Sequence, residues 1–552
     1  MKSKLQGGLV LYKNGNIRTM DNIDPIVESI VVNENKFVFA GKEDEARKYL
    51  EANKDSYKVV DLKGRLVIPG LNDSHMHFIH YAKSLRSVNL FGTKSIGEIK
   101  ERMLERINKR DPGDKTWLEG EGWNHDYFVD EKRFPTKFDL DDISKDIPLL
   151  VMRACFHIGT LNTAGMNAIG VNKETAHQYG NLVGLLPNGE PDGTIKESLL
   201  DDIKAKISTL NLEILKDIID VAQYKAFAQG LTSVQSDDVG YTPNYDYDLL
   251  FHAFRELEEE GKLQIRIGEQ CLLFKKPIME GFFNKGYKYG FGTDKYRVNC
   301  IKILTDGSLG ARSALLRKTY ADNDLTKGIK MYSQDELDEI VNYSHSQSCP
   351  VALHAIGDGA IEMCLDSIEK AQKAYPEIYL RHGIVHCQIT DYALLDRFRE
   401  LDVLAFIQPI FIDYDMNIVS ERVGEELDKT SYAWKTMIDK GIHASFGTDC
   451  PVESFNTMPN IYSAVTRKNI NGENKKIYLP NEKMSMQEAI YAYTFEGAYA
   501  SGEENLKGTI SAGKLADFIV LDKDLFNLCC DEEILDTHVA ETYVDGQLVY
   551  QK

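Results

Sequence analysis

Residues 67–78 read VIPGLNDSHMHF, an apolar stretch that ends in two histidines separated by one residue. We predict a β-strand over Leu71–His77. Because side chains two residues apart leave the same face of a strand, His75 and His77 would point to the same side. Two imidazoles on one face can chelate a metal ion, although two polar histidines at a strand end would fit the pattern without one.

The apolar run that carries these histidines is the first of eight that alternate with helical patterns. The predicted strands are Leu71–His77, Thr232–Ser236, Gln264–Cys271, Val298–Thr305, Val351–His354, Gly383–His386, Val403–Gln408 and His443–Thr448. Between them, apolar residues recur at the 3.6-residue helical period, as in Gln334–Ser346 and Asp358–Lys373. Eight β-α alternations predict an α/β fold, a TIM-type (β/α)8 barrel whose chemistry sits at the carboxyl ends of its strands.

Both ends of the chain are rich in strand patterns and turns. GGLVLYKNGNIRTM and SIVVNENKFVFAG lie near the N-terminus, and GTISAGKLADFIVLDKD and VAETYVDGQLVYQK lie near the C-terminus. We expect no long helix in either part. Residues 1–68 and 504–552 are therefore predicted to form one composite β-sandwich domain that encloses the barrel, residues 69–503.

One long interval, about residues 81–210, separates the first two predicted barrel strands. It contains strand-like runs of its own, Trp117–Trp123 and Leu149–Phe156, and a turn-rich piece, LLPNGEPDG. We interpret it as an insertion after the first barrel strand that caps the mouth of the barrel.

Composition excludes several classes of function. The 65 Lys and Arg against 85 Asp and Glu give a net charge of −20, which would repel nucleic acid and anionic membranes. Nine cysteines, an odd number, do not indicate a disulfide framework and favour a cytoplasmic location. No signal peptide and no apolar stretch of about 18 residues is found, so no membrane span is expected. The expected partner is a small-molecule substrate, with a homodimer as a further expectation from barrel size.

A lysine lies in the fourth predicted strand, within VNCIKILTDGS. Lys302 shares one face of that strand with Val298, Cys300 and Leu304, where its ammonium would lose hydration and the neutral amine would be favoured. A neutral amine can add carbon dioxide and become a carbamate able to bridge two divalent ions. A salt-bridged lysine at the end of the barrel is the alternative.

Three more ligand-type residues end predicted strands five, six and eight. His354, His386 and Asp449 each follow an apolar run and precede a polar loop, in VALHAIGDG, RHGIVHCQ and ASFGTDCPV. Any one of them could be a satisfied polar group. Together with His75, His77 and Lys302, they place ligand types at five strand ends of one barrel, which predicts a common metal centre.

The sequence resembles the amidohydrolase superfamily of metal-dependent hydrolases, and closely its YtcJ-like branch, which includes N-substituted formamide deformylase. The matching pieces are VIPGLNDSHMHF, EGWNHDYF with RFPTKFDLDD, HIGTLNTAGM, IKILTDGSLGARSA, LHAIGDGA, VHCQ, GTDCPV and GTISAGKLADFIVLD. They run over nearly all of the chain. The resemblance implies a barrel fused to a composite β domain and a metal centre of six residues: His75, His77, Lys302, His354, His386 and Asp449.

In binuclear members of that superfamily, one ion is held by the HxH pair and the aspartate of the eighth strand. The second ion takes the histidines of strands five and six, and a carboxylated lysine and a hydroxide bridge both ions. Because related members work with one ion, the resemblance implies one or two divalent ions for this chain.

These ligands predict a chemistry. Zinc suits imidazole and carboxylate ligands, lowers the pKa of bound water toward ~7 and supplies hydroxide. Asp449 would take the proton of the attacking hydroxide and pass it to the leaving nitrogen. The expected reaction is hydrolysis of an amide-type C–N bond in an N-substituted formamide, an N-acyl amide or a cyclic amide.

Four further residues are candidates for substrate binding. Asp306 and Arg312 follow the lysine strand in TDGSLGARSA, where Arg312 could anchor a substrate carboxylate or order the loop. Trp123 and His157 belong to the insertion and could line the pocket or only pack the cap.

Two rival functions remain. A mononuclear deaminase of the same superfamily pairs the strand-five histidine with a glutamate three residues later, and Gly357 stands at that position. A catalytically silent binding or regulatory protein on this scaffold would show lost ligands, and none of the six is missing.

Overall fold

A computed structural model describes residues 8–53, 56–110, 113–154, 157–207, 210–470 and 476–552. Its largest sheet has eight parallel strands, each paired with the next strand of that sheet along the chain. From first to eighth, these barrel strands are Leu71–Met76, Leu231–Ser236, Arg266–Leu272, Tyr296–Leu304, Val351–Ala355, Gly383–His386, Leu404–Ile407 and Ala444–Phe446. The predicted barrel is confirmed, and each strand lies within about two residues of its expected position.

Helices lie between the barrel strands, as the periodicity predicts, and further helices follow the eighth strand. They are Leu212–Phe227, Tyr247–Glu259, Lys276–Asn284, Gln334–Ser346, Asp358–Ala374, Tyr392–Glu400, Ile412–Asp415, Val419–Val423, Glu425–Asp428, Trp434–Asp439, Thr457–Thr466, Met486–Tyr493 and Phe495–Ala500. In Asp358–Ala374 the apolar face formed by Ile361, Cys364, Leu365 and Ile368 is buried. Within the described ranges, no helix is both long enough and apolar enough to cross a membrane.

Hydrogen bonds between the first barrel strand and the chain after the eighth close the barrel. The Asp449 amide donates to the His75 carbonyl at 2.8 Å, and the His77 amide donates to the Cys450 carbonyl at 2.8 Å. Gly447 lies at this seam, where an added Cβ would be 2.7 Å from the His75 nitrogen. Glycine therefore permits the close backbone approach that places Asp449 beside the two histidines.

Strands from both ends of the chain pair in one six-stranded sheet. Its order is Gln547–Gln551, Val539–Val544, Phe518–Leu521, Leu66–Pro69, Asn16–Arg18 and Ile26–Val27. A four-stranded sheet has the order Lys36–Gly41, Ser29–Asn33, Leu9–Lys13 and Tyr57–Asp61. Buried residues of both sheets form one core, in which Phe518 stacks on Tyr543 with ring centroids 4.3 Å apart. The boundaries proposed at residues 68 and 504 remain a prediction.

One expectation for the terminal part was wrong, because Glu43–Asn53 forms an eleven-residue α-helix. Ala46 and Leu50, four residues apart on one face of this helix, pack with Leu11 and Val31 of the four-stranded sheet. Only two buried apolar side chains among charged residues give a weak helical signal, and burial against the sheet stabilises the helix.

Residues 79–219 form a separate compact unit, close to the expected insertion at 81–210. Its six-stranded sheet has the order Val183–Leu185, Pro191–Lys196, Ile158–Leu161, Leu149–Arg153, Leu118–Trp123 and Val88–Asn89. Its helices are Phe78–Ser84, Ile96–Asn108, Lys137–Asp141, Thr163–Ala168 and Glu197–Ile207. Both strand-like runs are strands, although Phe156 lies outside the described residues. Its capping role remains a prediction.

Candidate metal centre

The HxH pair and the aspartate after the eighth strand meet at one point. His77 Nε2 lies 3.0 Å and His75 Nε2 3.4 Å from Asp449 Oδ1. All three side chains are mostly or fully withdrawn from solvent, with 1% of His75 and 8% of Asp449 exposed. The structure therefore brings two imidazole nitrogens to one carboxylate oxygen.

The histidines of strands five and six join the same cluster. His386 lies 5.7 Å from the His75 ring and 4.5 Å from the His354 ring, measured between ring centroids. One ligand atom from each of His75, His386 and Asp449 lies within 4.8 Å of the others, close enough for a shared ion.

Lys302 is fully buried at the centre of this group. Its Nζ lies 3.3 Å from His75 Nε2 and 3.8 Å from the Asp237 carboxylate. Burial lowers the pKa of the Lys302 ammonium, although Asp237 and Asp449 act in the opposite direction. All six residues of the predicted centre are thus connected through short distances.

Burial and the Asp449 carboxylate together set the pKa values of His75, His77 and His386. Burial lowers the pKa of His75 to about 4, with the Lys302 charge as a second cause, and it lowers the pKa of His386 well below its usual range. For His77, burial disfavours the cation, but the hydrogen bond and charge of Asp449 outweigh it and raise the pKa.

At the Asp449 carboxylate, the contacts with the histidines outweigh the effect of burial on the pKa. Burial opposes its charge, yet contacts from His75 and His77 hold the Asp449 pKa well below its usual range. The neutral imidazoles of His75 and His386 beside an ionised carboxylate, without bulk solvent, form a donor set that suits a divalent ion such as zinc. A buried oxygen, Asp237 Oδ1, also has no hydrogen-bond partner among the described residues. The site fits a metal ion.

Two of these residues adopt a backbone conformation that side chains other than glycine rarely take. The φ angle is 80° at His386 and 60° at Asp449. Such a conformation costs about 1 kcal/mol or more and persists where the surroundings fix it, often at functional sites.

Asp306 and Arg312 lie in the loop after the fourth strand, and other contacts engage both. Asp306 is buried and accepts hydrogen bonds from the amides of Leu315, Ile356 and Gly357. One of its oxygens also lies 3.1 Å from His354 Nδ1. Arg312 forms an ion pair with Asp322 at 2.7 Å. These contacts order the loops around His354.

Trp123 and His157 belong to the unit of residues 79–219. Trp123 is fully buried in an apolar cluster, where its ring centroid lies 5.5 Å from that of Phe134. His157 is exposed and lies 3.2 Å from a Glu197 oxygen. Both contacts lie within that unit, and a role in substrate binding remains a proposal.

Sequence reasoning missed four polar residues close to the predicted ligands. Gln270 and Gln408 contact His75 and His386. Asp237, directly after strand two, and Glu269, within strand three, add buried carboxyl groups. Burial, with the charge of Asp238 as the next cause, raises the Glu269 pKa well above its usual range. Asp237 and Gln408 carry the same signal as the ligands, a polar residue directly after an apolar strand, whereas Glu269 and Gln270 lie inside their strand.

Comparison with known proteins places the chain among relatives of similar length. A family model described as an amidohydrolase family matches residues 58–550. The putative amidohydrolase YtcJ of Bacillus subtilis is 30% identical over 499 residues, covering 89% of this chain and 90% of YtcJ. The N-substituted formamide deformylase of Arthrobacter pascens is 23% identical, covering 98% of both chains.

A solved structure shows the same architecture. An uncharacterized metal-dependent hydrolase from Pyrococcus furiosus is 28% identical, with a TM-score of 0.76. The match covers 94% of this chain and all of that protein.

Proposed function

The chain belongs to the amidohydrolase family, and from that premise we propose that it hydrolyses an amide-type C–N bond in a small molecule. The proposed substrate is an N-substituted formamide, an N-acyl amide or a cyclic amide. The N-substituted formamide deformylase among the relatives supports this range, at 23% identity. One observation carries the proposal. His75 and His77 both approach the same carboxylate oxygen, Asp449 Oδ1, and Lys302 and His386 lie beside His75.

We propose that the six residues named above hold one or two divalent ions, with zinc as the metal. Imidazole nitrogens and carboxylate oxygens are ligands that zinc accepts. A bound ion of this kind would lower the pKa of water and polarise a carbonyl oxygen.

Asp449 is the proposed catalytic acid and base. Because its carboxylate stays ionised beside His75 and His77, it can accept a proton from the attacking water molecule. It would then deliver that proton to the nitrogen that leaves as the amine. One water molecule is consumed, the C–N bond breaks, and a carboxylic acid and an amine are formed.

Lys302 is proposed to be carboxylated in the active protein. Its amine nitrogen would form a bond to the carbon of carbon dioxide and release one proton to solvent. Complete burial supports this proposal, because a carbamate beside cations avoids the cost of a desolvated ammonium at the same place.

For the pocket, the contacts favour loop ordering as the role of Asp306 and Arg312, while Trp123 and His157 stay proposed substrate-binding residues. A cytoplasmic location and a homodimer also remain proposals. Buried free thiols among the described cysteines and the strongly negative charge support the location.

A product assay tests the proposed reaction. Purified protein, loaded with zinc, is offered N-formyl, N-acyl and cyclic amides, and the products are quantified. We expect a carboxylic acid and an amine in equal amounts, or one ring-opened product from a cyclic amide. Release of ammonia from an amino-substituted ring, with no amide cleaved, would favour the deaminase instead.

A further inference from the structure

We propose that Gln270 and Gln408 are positioning residues that fix the tautomers of His75 and His386, so that both rings present an unprotonated Nε2 to the metal. The proposal rests on the metal centre described above and adds the two groups that orient it. Neither glutamine is among the six predicted ligands.

For His75, the argument starts from a backbone carbonyl. Gln270 Nε2 donates to the Ser74 oxygen at 3.0 Å, and a carbonyl oxygen can only accept. This bond fixes which end of the amide faces which neighbour, so Gln270 Oε1 faces His75 Nδ1, at 2.7 Å. Because Oε1 is also only an acceptor, Nδ1 must carry the hydrogen.

The same chain of contacts orients His386. Gln408 Nε2 donates to the Phe406 carbonyl at 3.1 Å, which turns Gln408 Oε1 toward His386 Nδ1, at 2.8 Å. His386 Nδ1 is therefore the protonated nitrogen of the neutral ring. Two histidines on different strands thus receive their tautomer from a carboxamide that a neighbouring carbonyl orients.

The consequence is a lone pair on Nε2 of each ring. A neutral imidazole protonated at Nδ1 has its free lone pair on Nε2, and a metal ion binds through that pair. His75 Nε2 is also the nitrogen that lies 3.4 Å from Asp449 Oδ1 and 3.3 Å from Lys302 Nζ. The ring nitrogen that Gln270 leaves unprotonated is therefore the one that faces the other ligands.

A carboxamide and a carboxylate at these two positions would differ in charge. A carboxylate at either position would add a negative charge to a region where Asp237, Asp449 and Glu269 are already buried. A glutamine accepts the same N–H hydrogen bond without that charge. It fixes the ring and leaves the total charge of the ligands unchanged.

Metal affinity measures the role directly. Gln270→Met and Gln408→Met keep the side-chain length but remove the acceptor, and each should weaken zinc binding about 10- to 100-fold in chelator competition. Gln235→Met is the matched control, because Gln235 is a buried barrel glutamine that donates to the Gly497 carbonyl. Gln235→Met should change zinc affinity less than twofold. In the metal-free protein, it should lower the melting temperature about as much as Gln270→Met and Gln408→Met do.

Equal zinc affinity in wild type and in both Gln270→Met and Gln408→Met would overturn the proposal, as would an equal loss in Gln235→Met. Nitrogen-15 histidine NMR of the metal-free wild-type protein gives an independent readout. His75 and His386 should carry their proton on Nδ1, and a proton on Nε2 of both rings would overturn the inference. Failure of the wild-type protein to bind metal would instead contradict the proposed function, and the tautomer result would still decide this inference.

Discussion

Asp449 and His77 are 372 positions apart in the chain, yet Asp449 Oδ1 lies 3.0 Å from His77 Nε2. The contact depends on the barrel seam, where the Asp449 amide donates to the His75 carbonyl. The hydrogen bonds that close the barrel therefore also bring Asp449 beside the two histidines.

Replacing Asp449 with Asn should lower turnover by about 10² to 10⁴, because the amide keeps the shape but cannot shuttle the proton. Metal content should fall less than turnover. Steady-state kinetics and metal analysis on one preparation measure both. Asp439→Asn, at an exposed surface ion pair, is the control and should keep normal turnover. A fully active Asp449→Asn variant would remove this residue from its proposed role.

Replacing His75 and His77 together with Ala should remove metal and activity while the fold persists, since the barrel core does not depend on residues at its rim. His252→Ala changes a half-exposed histidine that pairs with Glu256, and it should leave both properties unchanged. Metal analysis and circular dichroism check the result. Full metal content in the double variant would mean that the site lies elsewhere.

Substituting Lys302 with Ala should abolish binding of a second ion, and a small added carboxylic acid should restore part of the activity by replacing the lost carbamate. Lys302→Arg keeps the positive charge but cannot form the bridge, so it should stay inactive. Mass spectrometry of the native protein and metal titration provide the measurements. Normal turnover in the Arg variant would favour a single-metal centre.

Gly447→Ala should destabilise the protein by about 1 to 3 kcal/mol, because the new methyl group would meet the His75 backbone at the seam. Gly310→Ala is the matched control, since an added Cβ there meets nothing within 4 Å. Urea unfolding compares the two variants. Equal stability would show that the seam can relax.

Acid should destabilise the protein through a histidine pair outside the metal centre. His345 Nδ1 lies 2.8 Å from His382 Nε2, and burial, with the nearby His345 as a second cause, lowers the His382 pKa to about 3. In the unfolded chain the pKa of a histidine is about 6.5. The neutral His382 ring therefore contributes its full stabilisation above about pH 6.5, and this contribution is lost as the pH falls toward 3.

The matched variant is His382→Gln, which keeps an acceptor for the Val351 amide but does not titrate. Below about pH 6, the unfolding free energy of wild type should fall faster than that of the variant, by about 1.4 kcal/mol per pH unit. Parallel curves from pH 7 to 4.5 would contradict this prediction.

Much of the barrel follows from local pattern. Each strand is a short apolar run between turns, so its position could be predicted to within about two residues. The helix Glu43–Asn53 could not, because only Ala46 and Leu50 are buried and tertiary packing stabilises it.

The ligands could be proposed because they are chemically special residues at strand ends. Gln408 directly follows the seventh strand and Gln270 lies inside the third, but glutamine is not a residue type that indicates a metal site. Their role depends on which end of the amide a neighbouring carbonyl engages, and that is visible only in three dimensions. The contacts of Arg312 and Asp306 likewise depend on loop geometry that no motif records.

Removal and return of the metal is the most direct measurement. The purified protein is stripped with a chelator, assayed on its best amide substrate, and assayed again after zinc is added. We expect turnover to disappear with the metal and to return with one or two zinc ions per chain. Full turnover by the stripped protein, or no turnover of any amide by the loaded protein, would contradict a metal-dependent hydrolase.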